Sequence, residues 1–394
     1  MTDRVDRTSF DLIVIGLGAM GAATLYQAAR QGLKVLGIDR YAPPHEFGSS
    51  HAESRITRLA IGEGSQYLPI VARSHEIWRE IEAATGESIL HQTGGYVINQ
   101  SSRSEDDRWG NFVDETARIA ADAGIDYQLH DRDEIERRYP AISVSETERG
   151  GFEPTGGVVM CERAVTSQLQ LATQLGATIH TNEQVLDVRA HGGSVTVTTG
   201  AQAYQSEHVV QATGAWLASH VAPVDAAAMT VTRQVVCWFE VDNVDTFSVD
   251  NFPFMLWAGH TIEDYLGVFP IAPGATPALK LLGEQFAVRT DPDSVDRTVH
   301  RHEIDDLYDR LISKRLRGVR RETVRATVCL YTNTPDDHFL IDHHRDSDRI
   351  LFMSPCSGHG FKHSAALGEA VATLIATGRS PIDLSSFRRD RLAD

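Results

Sequence analysis

The chain has 394 residues, 42% of them hydrophobic, and a formal net charge of −17. That is length for about two to three domains with a real core, and the acidic balance disfavours nucleic acid and anionic membrane as partners. Four widely spaced cysteines without a Cys-x-x-Cys pair argue against a disulfide scaffold or a zinc site and fit a reducing cytoplasm, and no run approaches the roughly 18 apolar residues of a membrane span.

The first apolar run, Asp11-Leu-Ile-Val-Ile15, reads as a strand and not as a secretion signal, because it leads straight into a glycine turn with no small-residue cleavage site. Gly16, Gly18 and Gly21 follow it, then an alanine-rich helical stretch, then the apolar run Val35-Leu-Gly-Ile38 ending at Asp39. This is the order of a dinucleotide-binding β-α-β unit. The first glycine permits the tight turn, the second lets backbone approach a pyrophosphate, and the third lets helix and strand pack closely. The helix N-terminus offers N–H groups to phosphate, and Asp39 can accept from a ribose hydroxyl. The pattern does not separate NAD from FAD.

Residues 40 to 58 read as a long loop. A helix is expected over Tyr67 to Ala84, a strand broken by Gly94-Gly95 over Ile89 to Asn99, and a helix closed by Gly124 over Glu105 to Ala123. Glu162 to Leu175 is helical and closed by Gly176. Val185 to Val188 and Ser194 to Thr199 flank His191-Gly-Gly193 as a hairpin. His208 to Ala212 is a strand leading to Thr213-Gly214. Residues 229 to 290 alternate polar and apolar with many aromatics, as an antiparallel sheet does. Arg301 to Arg317 reads as a helix, Val324 to Tyr331 and Ile350 to Met353 as strands, and Gly368 to Thr377 as a closing helix. His343-His344 reads as a solvated loop pair. The expected fold is α/β: a discontinuous Rossmann-like domain (1–85, 146–220, 321–394) with a second domain on a largely antiparallel sheet (86–145, 221–320).

Further clusters are more specific than the glycine turn: Gly48-Ser-Ser-His-Ala-Glu-Ser-Arg-Ile-Thr-Arg58, Gly62-Glu-Gly64, Ala326-Thr-Val-Cys-Leu-Tyr331, Pro335-Asp-Asp-His-Phe339 and Ser357-Gly-His-Gly-Phe-Lys362. With these the chain resembles, nearly end to end, the monomeric sarcosine oxidase and N-methyltryptophan oxidase family, FAD-dependent amine oxidases of the D-amino-acid-oxidase type. The resemblance implies FAD, tethered covalently through Cys329. It implies a substrate carboxylate held by Arg58 and Lys362, for which a guanidinium's paired donors are suited. It places Ser49, His51, Ser54, Arg55, Gly214, Gly358, His359 and Gly360, with Lys362, around the flavin. It puts Lys280 on the flavin face opposite the substrate, where a fixed cation promotes oxygen reduction. Tyr265 and Glu284 complete the catalytic pocket.

The chain departs from the family pattern at Glu284, where a histidine is usual, at Ser50-His51, where two histidines are common, and at Ala52-Glu53-Ser54, where Gly-Asp-Thr or a close variant is usual. A carboxylate at 284 disfavours a second acid on the substrate and favours an extra amine. The expected reaction is oxidation of a secondary amino acid (N-methyl or cyclic) to an imine, then to an aldehyde or keto product, with hydrogen peroxide released. Molecular oxygen is the other small-molecule partner; no metal is called for, and a cytoplasmic monomer is expected. Three alternatives stay open at this stage: a related enzyme with a non-oxygen acceptor, an NAD-dependent dehydrogenase, and a non-catalytic flavin-binding subunit.

Overall fold

The structure is a computed structural model that describes residues 9–100, 112–258 and 264–392. The expected first unit is present. Ser9–Ile15 lies parallel to both Val35–Ile38 and Ala203–Gln211 at the centre of an eight-stranded sheet. Leu12, Ile13 and Val14 have no exposed surface, as a parallel strand covered on both faces requires. Val185–His191 and Ser194–Thr199 extend one side as the expected hairpin, and Thr178–His180 closes the other. Ser347–Ser354 joins Ala203–Gln211 in parallel and pairs antiparallel with Leu340–His344.

Behind this sheet the helix Ala19–Arg30 packs against Ser364–Thr377 and Cys161–Gln174. The approach is close because both surfaces are small: a Cβ on Gly368 would stand 2.5 Å from that of Ala23. Leu68–Thr85 buries the stripe Ile70, Val71, Ile77, Trp78 and Ile81 against the same layer.

A second eight-stranded sheet runs in the order Val319–Asn333, Thr230–Val241, Leu279–Leu282, Leu266–Phe269, Phe254–Trp257, Gly95–Gln100, Glu148–Glu153, Gln128–His130. Its pairings are antiparallel except that of Phe254–Trp257 with Gly95–Gln100. The strand at 148–153 and all but the first two residues of that at 319–333 thus belong to this sheet from outside the segments of which it was expected to be built. One apolar cluster holds Val236, Trp238, Phe269, Leu282 and Cys329 from this sheet together with Ala52, Val158 and Met160. That cluster is where the second sheet meets the segment around Ala52 and the strand Gly157–Met160.

Three local expectations need correction, and a fourth falls partly outside the described residues. Residues 40–58 are not loop throughout: Ser54–Thr57 pairs antiparallel with Gly157–Met160, which also pairs with Leu90–Gln92. Four mostly polar residues are too short to show alternation. The helix from Arg301 ends at Leu307 and passes into one wide turn, Tyr308–Ile312. The chain is then drawn away because Leu316 bridges Ile142 and Arg317 N–H donates to Ala141. His343 and His344 are half-buried in the strand Leu340–His344, not solvated in a loop. The helix expected from Glu105 is observed as Phe112–Ala123, its first residues lying outside the described ones.

The glycine turn shows steric necessity of two kinds. A Cβ on Gly21 would lie 1.7 Å from the Gly16 carbonyl oxygen, whereas one on Gly18 would meet only Ser50 Oγ, at 3.2 Å. Gly21→Ala is expected to cost about 3 kcal/mol or more by forced backbone displacement. Gly18→Ala should cost about 1 kcal/mol or less in the same denaturant titration.

Candidate active site

A cavity of about 490 Å³ runs from the glycine turn to the junction of the two large sheets. Gly16, Gly18 and Asp39 line one end, Gly214 and Trp216 the flank, Ser49, Arg55 and Cys329 the middle, and Arg58, Tyr265, Glu284, Gly358, His359, Gly360 and Lys362 the far end. Of the residues selected from sequence, Gly21, His51, Ser54 and Lys280 stand just behind this lining.

At the nucleotide end Asp39 has a structural task. Its Oδ2 accepts from Leu17 N–H at 2.7 Å and its Oδ1 from Tyr41 N–H at 2.8 Å, which fixes the glycine turn. Ser50 Oγ accepts from Ala19 N–H at 3.0 Å in the first turn of the helix. These contacts leave Gly16 and Gly18 facing the cavity, the shape a pyrophosphate needs at a helix N-terminus. The residues present therefore fit a dinucleotide cofactor.

In the middle, Cys329 Sγ lies 3.4 Å from His51 Nε2 and 3.7 Å from Arg55 Nη2. Burial pushes the His51 imidazole down to about 4, and the Arg55 charge adds to this, so the ring is neutral near pH 7. Arg55 also donates to the carbonyls of Ser49 and Ser54, both at 2.8 Å. The Cys329 thiol is thus held between a guanidinium and a neutral imidazole.

Lys280 is 2% exposed, donates to the same Ser54 carbonyl, and stands 3.9 Å from the centre of the Phe269 ring. Burial, then the Arg55 charge, pulls its ammonium down to about 7. The carbonyl that holds it follows two successive left-handed non-glycine residues, Ala52 (φ 74°) and Glu53 (φ 68°). Such backbone is costly and persists only when its surroundings fix it. Here the Glu53 carboxylate accepts from Trp238 Nε1 at 2.8 Å, Thr276 N–H at 3.1 Å and Arg325 Nη1 at 3.3 Å, with Thr276 Oγ1 also donating. Trp238 is the residue paired across the sheet with both Lys280 and Arg325.

At the far end Arg58, 2% exposed, donates to Ala60 O at 2.7 Å and to Glu63 Oε2 at 2.6 Å. Lys362 donates to His359 O at 2.8 Å, and its Nζ lies 3.6 Å from Glu63 Oε1. Burial pushes the Glu63 carboxyl up, but the charges of Arg58 and Lys362 overcome it and hold the group well below the usual carboxylate range. Burial also lowers Lys362 to about 8, with Glu63 opposing. Lys362 leaves the turn at Ser357 (φ 44°) and Gly358 (φ 80°), where Ser357 N–H donates to Thr332 O at 2.9 Å. That bond ties the turn to the strand carrying Cys329. The Arg58 segment is fixed by the buried Glu153, which accepts from Leu59 and Ala60 N–H at 2.7 and 2.9 Å.

Sequence reasoning selected neither Glu63 nor Glu153 nor Glu53. Glu63 had a local signal, an acid between two glycines five residues after an arginine. Glu53 stood within the Gly48–Arg58 motif but drew no role of its own, and Glu153, whose partners are distant in the chain, left no signal.

Two mutually reinforcing comparisons place the protein. The family model described as DAO, FAD-dependent oxidoreductase, matches residues 11–374. The chain belongs to that family of flavoenzymes. Within it, monomeric sarcosine oxidase of Bacillus sp. (strain B-0618) is 35% identical over 98% of this chain and 97% of that protein. N-methyl-L-tryptophan oxidase of Yersinia pestis (strain Pestoides F) is 31% identical over 96% of this chain and 98% of that protein. This protein is thus a flavin amine oxidase of the sarcosine oxidase type. The open form of NikD, an unusual amino acid oxidase of nikkomycin biosynthesis, shares the fold, with a TM-score of 0.81 at 22% identity over 96% of this chain and 97% of that one.

The Glu53 network yields a direct expectation. Glu53→Gln keeps the shape but loses charge-assisted bonds, and is expected to cost about 2–3 kcal/mol in denaturant unfolding, with Glu53→Ala costing more. A Glu53→Ala variant with wild-type stability would show that the left-handed turn stands without its carboxylate.

Proposed function

We propose that the chain oxidises secondary amino acids whose carboxylate is gripped by Arg58 and Lys362, with FAD as resident cofactor and oxygen as acceptor. The observation that carries this is the buried pair of cations at the end of the cavity that contains the glycine turn and Cys329. Bound FAD would supply the two-electron chemistry that takes hydrogen from the carbon–nitrogen bond.

The chain's own residues do the rest. Glu63 offsets only one of the two charges of Arg58 and Lys362, so a net positive charge is left to hold a substrate carboxylate. The glycine turn and Asp39 would hold the nucleotide half of FAD, Cys329, between His51 and Arg55, would be the residue that tethers it, and Gly358 to Gly360 would line its place. Tyr265 stays protonated, since burial and then the Glu284 charge push it up, so it walls the pocket without acting as a base. Lys280 supplies a positive charge where oxygen is reduced. The carboxylate clamp fixes the amine, which must be unprotonated to react, and the product imine is hydrolysed by water. We take the enzyme to be a cytoplasmic monomer, its flavin part formed mainly by 1–85, 146–220 and 321–394 and its substrate part by 86–145 and 221–320, to which the strands Glu148–Glu153 and Val319–Asn333 are added.

Anaerobic addition of N-methyl and cyclic amino acids to the yellow holoenzyme tests this reading. Bleaching of the flavin band by one of them is the expected result. A yellow protein that none of them bleaches would overturn it.

Two further outcomes are expected. Acid-precipitated wild-type protein should retain its flavin, and Cys329→Ser should release it to the supernatant. Reoxidation by oxygen should slow as pH rises through about 7, because Lys280 is charged below that point and neutral above it. Lys280→Met should slow reoxidation roughly 10²–10³-fold and abolish that pH dependence, as read by stopped-flow absorbance.

A further inference from the structure

The cavity has a second charged feature that the carboxylate clamp does not use. Glu284 lies in the wall just beyond the strand Leu279–Leu282. Its Oε1 would be 3.5 Å from a Cβ on Gly358, which sets it against the Ser357–Gly360 turn, and its Oε2 is buried. Tyr265, Tyr331 and Phe286 line the same stretch, the last two with ring centroids 6.4 Å apart at 55°. After burial, the Glu284 charge is the largest influence pushing both phenols up, so Tyr265 and Tyr331 stay neutral rings beside a carboxylate. Tyr265 also feels Arg58 and Glu63. Tyr265, Arg58, Lys362 and Glu284 all line the one cavity, so one ligand can reach both the clamp and Glu284.

A carboxylate among aromatic faces is the chemistry that recognises an organic cation. The anion supplies the charge and the rings supply cation–π attraction in a site shielded from water. A purely apolar substituent would press hydrocarbon against the carboxylate at a desolvation cost, and an acidic one would be repelled.

We infer that Glu284, with Tyr265, Tyr331 and Phe286, forms a cation subsite, and that the preferred substrates are N-alkyl amino acids whose side chain ends in a second nitrogen that is positively charged. This rests on the reading of Arg58 and Lys362 as the carboxylate clamp. Arg58 and Lys362 fix one end of such a substrate and Glu284 the other, which orients the amine between them.

The test compares Nα-methyl-lysine with Nα-methyl-norleucine and N-methyl-glutamate in anaerobic flavin bleaching by the holoenzyme. It is run alongside calorimetric binding of the unreactive pair 6-aminohexanoate and hexanoate. Nα-methyl-lysine should be favoured over Nα-methyl-norleucine by about tenfold or more in apparent affinity, with N-methyl-glutamate weakest. Glu284→Gln should bring the lysine-to-norleucine ratio toward one, and Glu284→Asp should keep part of it. Equal affinity for the lysine and norleucine compounds in the wild type would overturn the subsite while leaving the clamp reading intact. A Glu284→Gln variant that shifts the pH profile of both alike, with an unchanged ratio, would overturn it too and assign Glu284 to the reacting amine. Failure of every compound to bleach the flavin would overturn the clamp reading and the subsite with it. The wild-type ratio and the calorimetry need no variant to fold.

Discussion

Buried positive charge is the constraint on which this site is organised. Arg58, Lys280 and Lys362 are each 5% exposed or less, and Arg55 is half-buried beside them. Main-chain carbonyls do most of the holding: Ser49 and Ser54 for Arg55, Ala60 for Arg58, Ser54 for Lys280, His359 for Lys362. A carbonyl satisfies a donor but does not cancel its charge, so the cations remain a source of field in a low-dielectric place. Among the described residues, only at the clamp does a carboxylate, Glu63, lie against two of them. The site is therefore built to receive negative charge, first as an anionic group of a ligand and then as charge that develops during reaction. The lowered ammonium groups of Lys280 and Lys362 record what the arrangement costs.

What could be read from the sequence divides along the range of the interaction. The glycine turn was legible because its requirement is local: Gly21 sits against the Gly16 carbonyl five residues back, and Asp39 reaches the same turn from the next strand. Arg58, Lys362, Cys329 and Lys280 were legible only through the motifs around them, since an isolated lysine or cysteine carries no such message. The structure brings them into or just behind one cavity. The second sheet was legible as an alternating aromatic-rich region, but not its recruitment of Glu148–Glu153 and Val319–Asn333, since strand partners are chosen by tertiary packing. Glu53, Glu63 and Glu153 escaped because acids are common in an acidic chain, and only the fold reveals which of them face buried donors.

The segment from Ser49 to Arg58 concentrates these themes. In ten residues it supplies Ser49 and Arg55 to the cavity wall, His51 and the Ser54 carbonyl behind it, and Arg58 to the clamp. To face so many directions the chain takes two left-handed steps at Ala52 and Glu53 that side chains normally avoid. A glycine at position 52 would relieve that strain, yet Ala52 is fully buried in the cluster that contains Cys329 and Trp238, so its methyl group fills space a glycine would leave empty.

Glu53 then makes the turn a hinge point between sheets. Its carboxylate holds Trp238 and Arg325 of the second sheet while its own backbone N–H is held by Glu162 at 3.0 Å. Because Trp238 is the cross-strand partner of Lys280, the same carboxylate sets both the carbonyl that accepts from Lys280 and the strand that carries it. Donor and acceptor are thereby fixed relative to each other by one residue, although they are 226 positions apart in the chain. That is how a lysine can be kept buried and near half-charged at pH 7: its carbonyl partner cannot drift away, and burial with the Arg55 charge outweighs the opposing pull of Glu162.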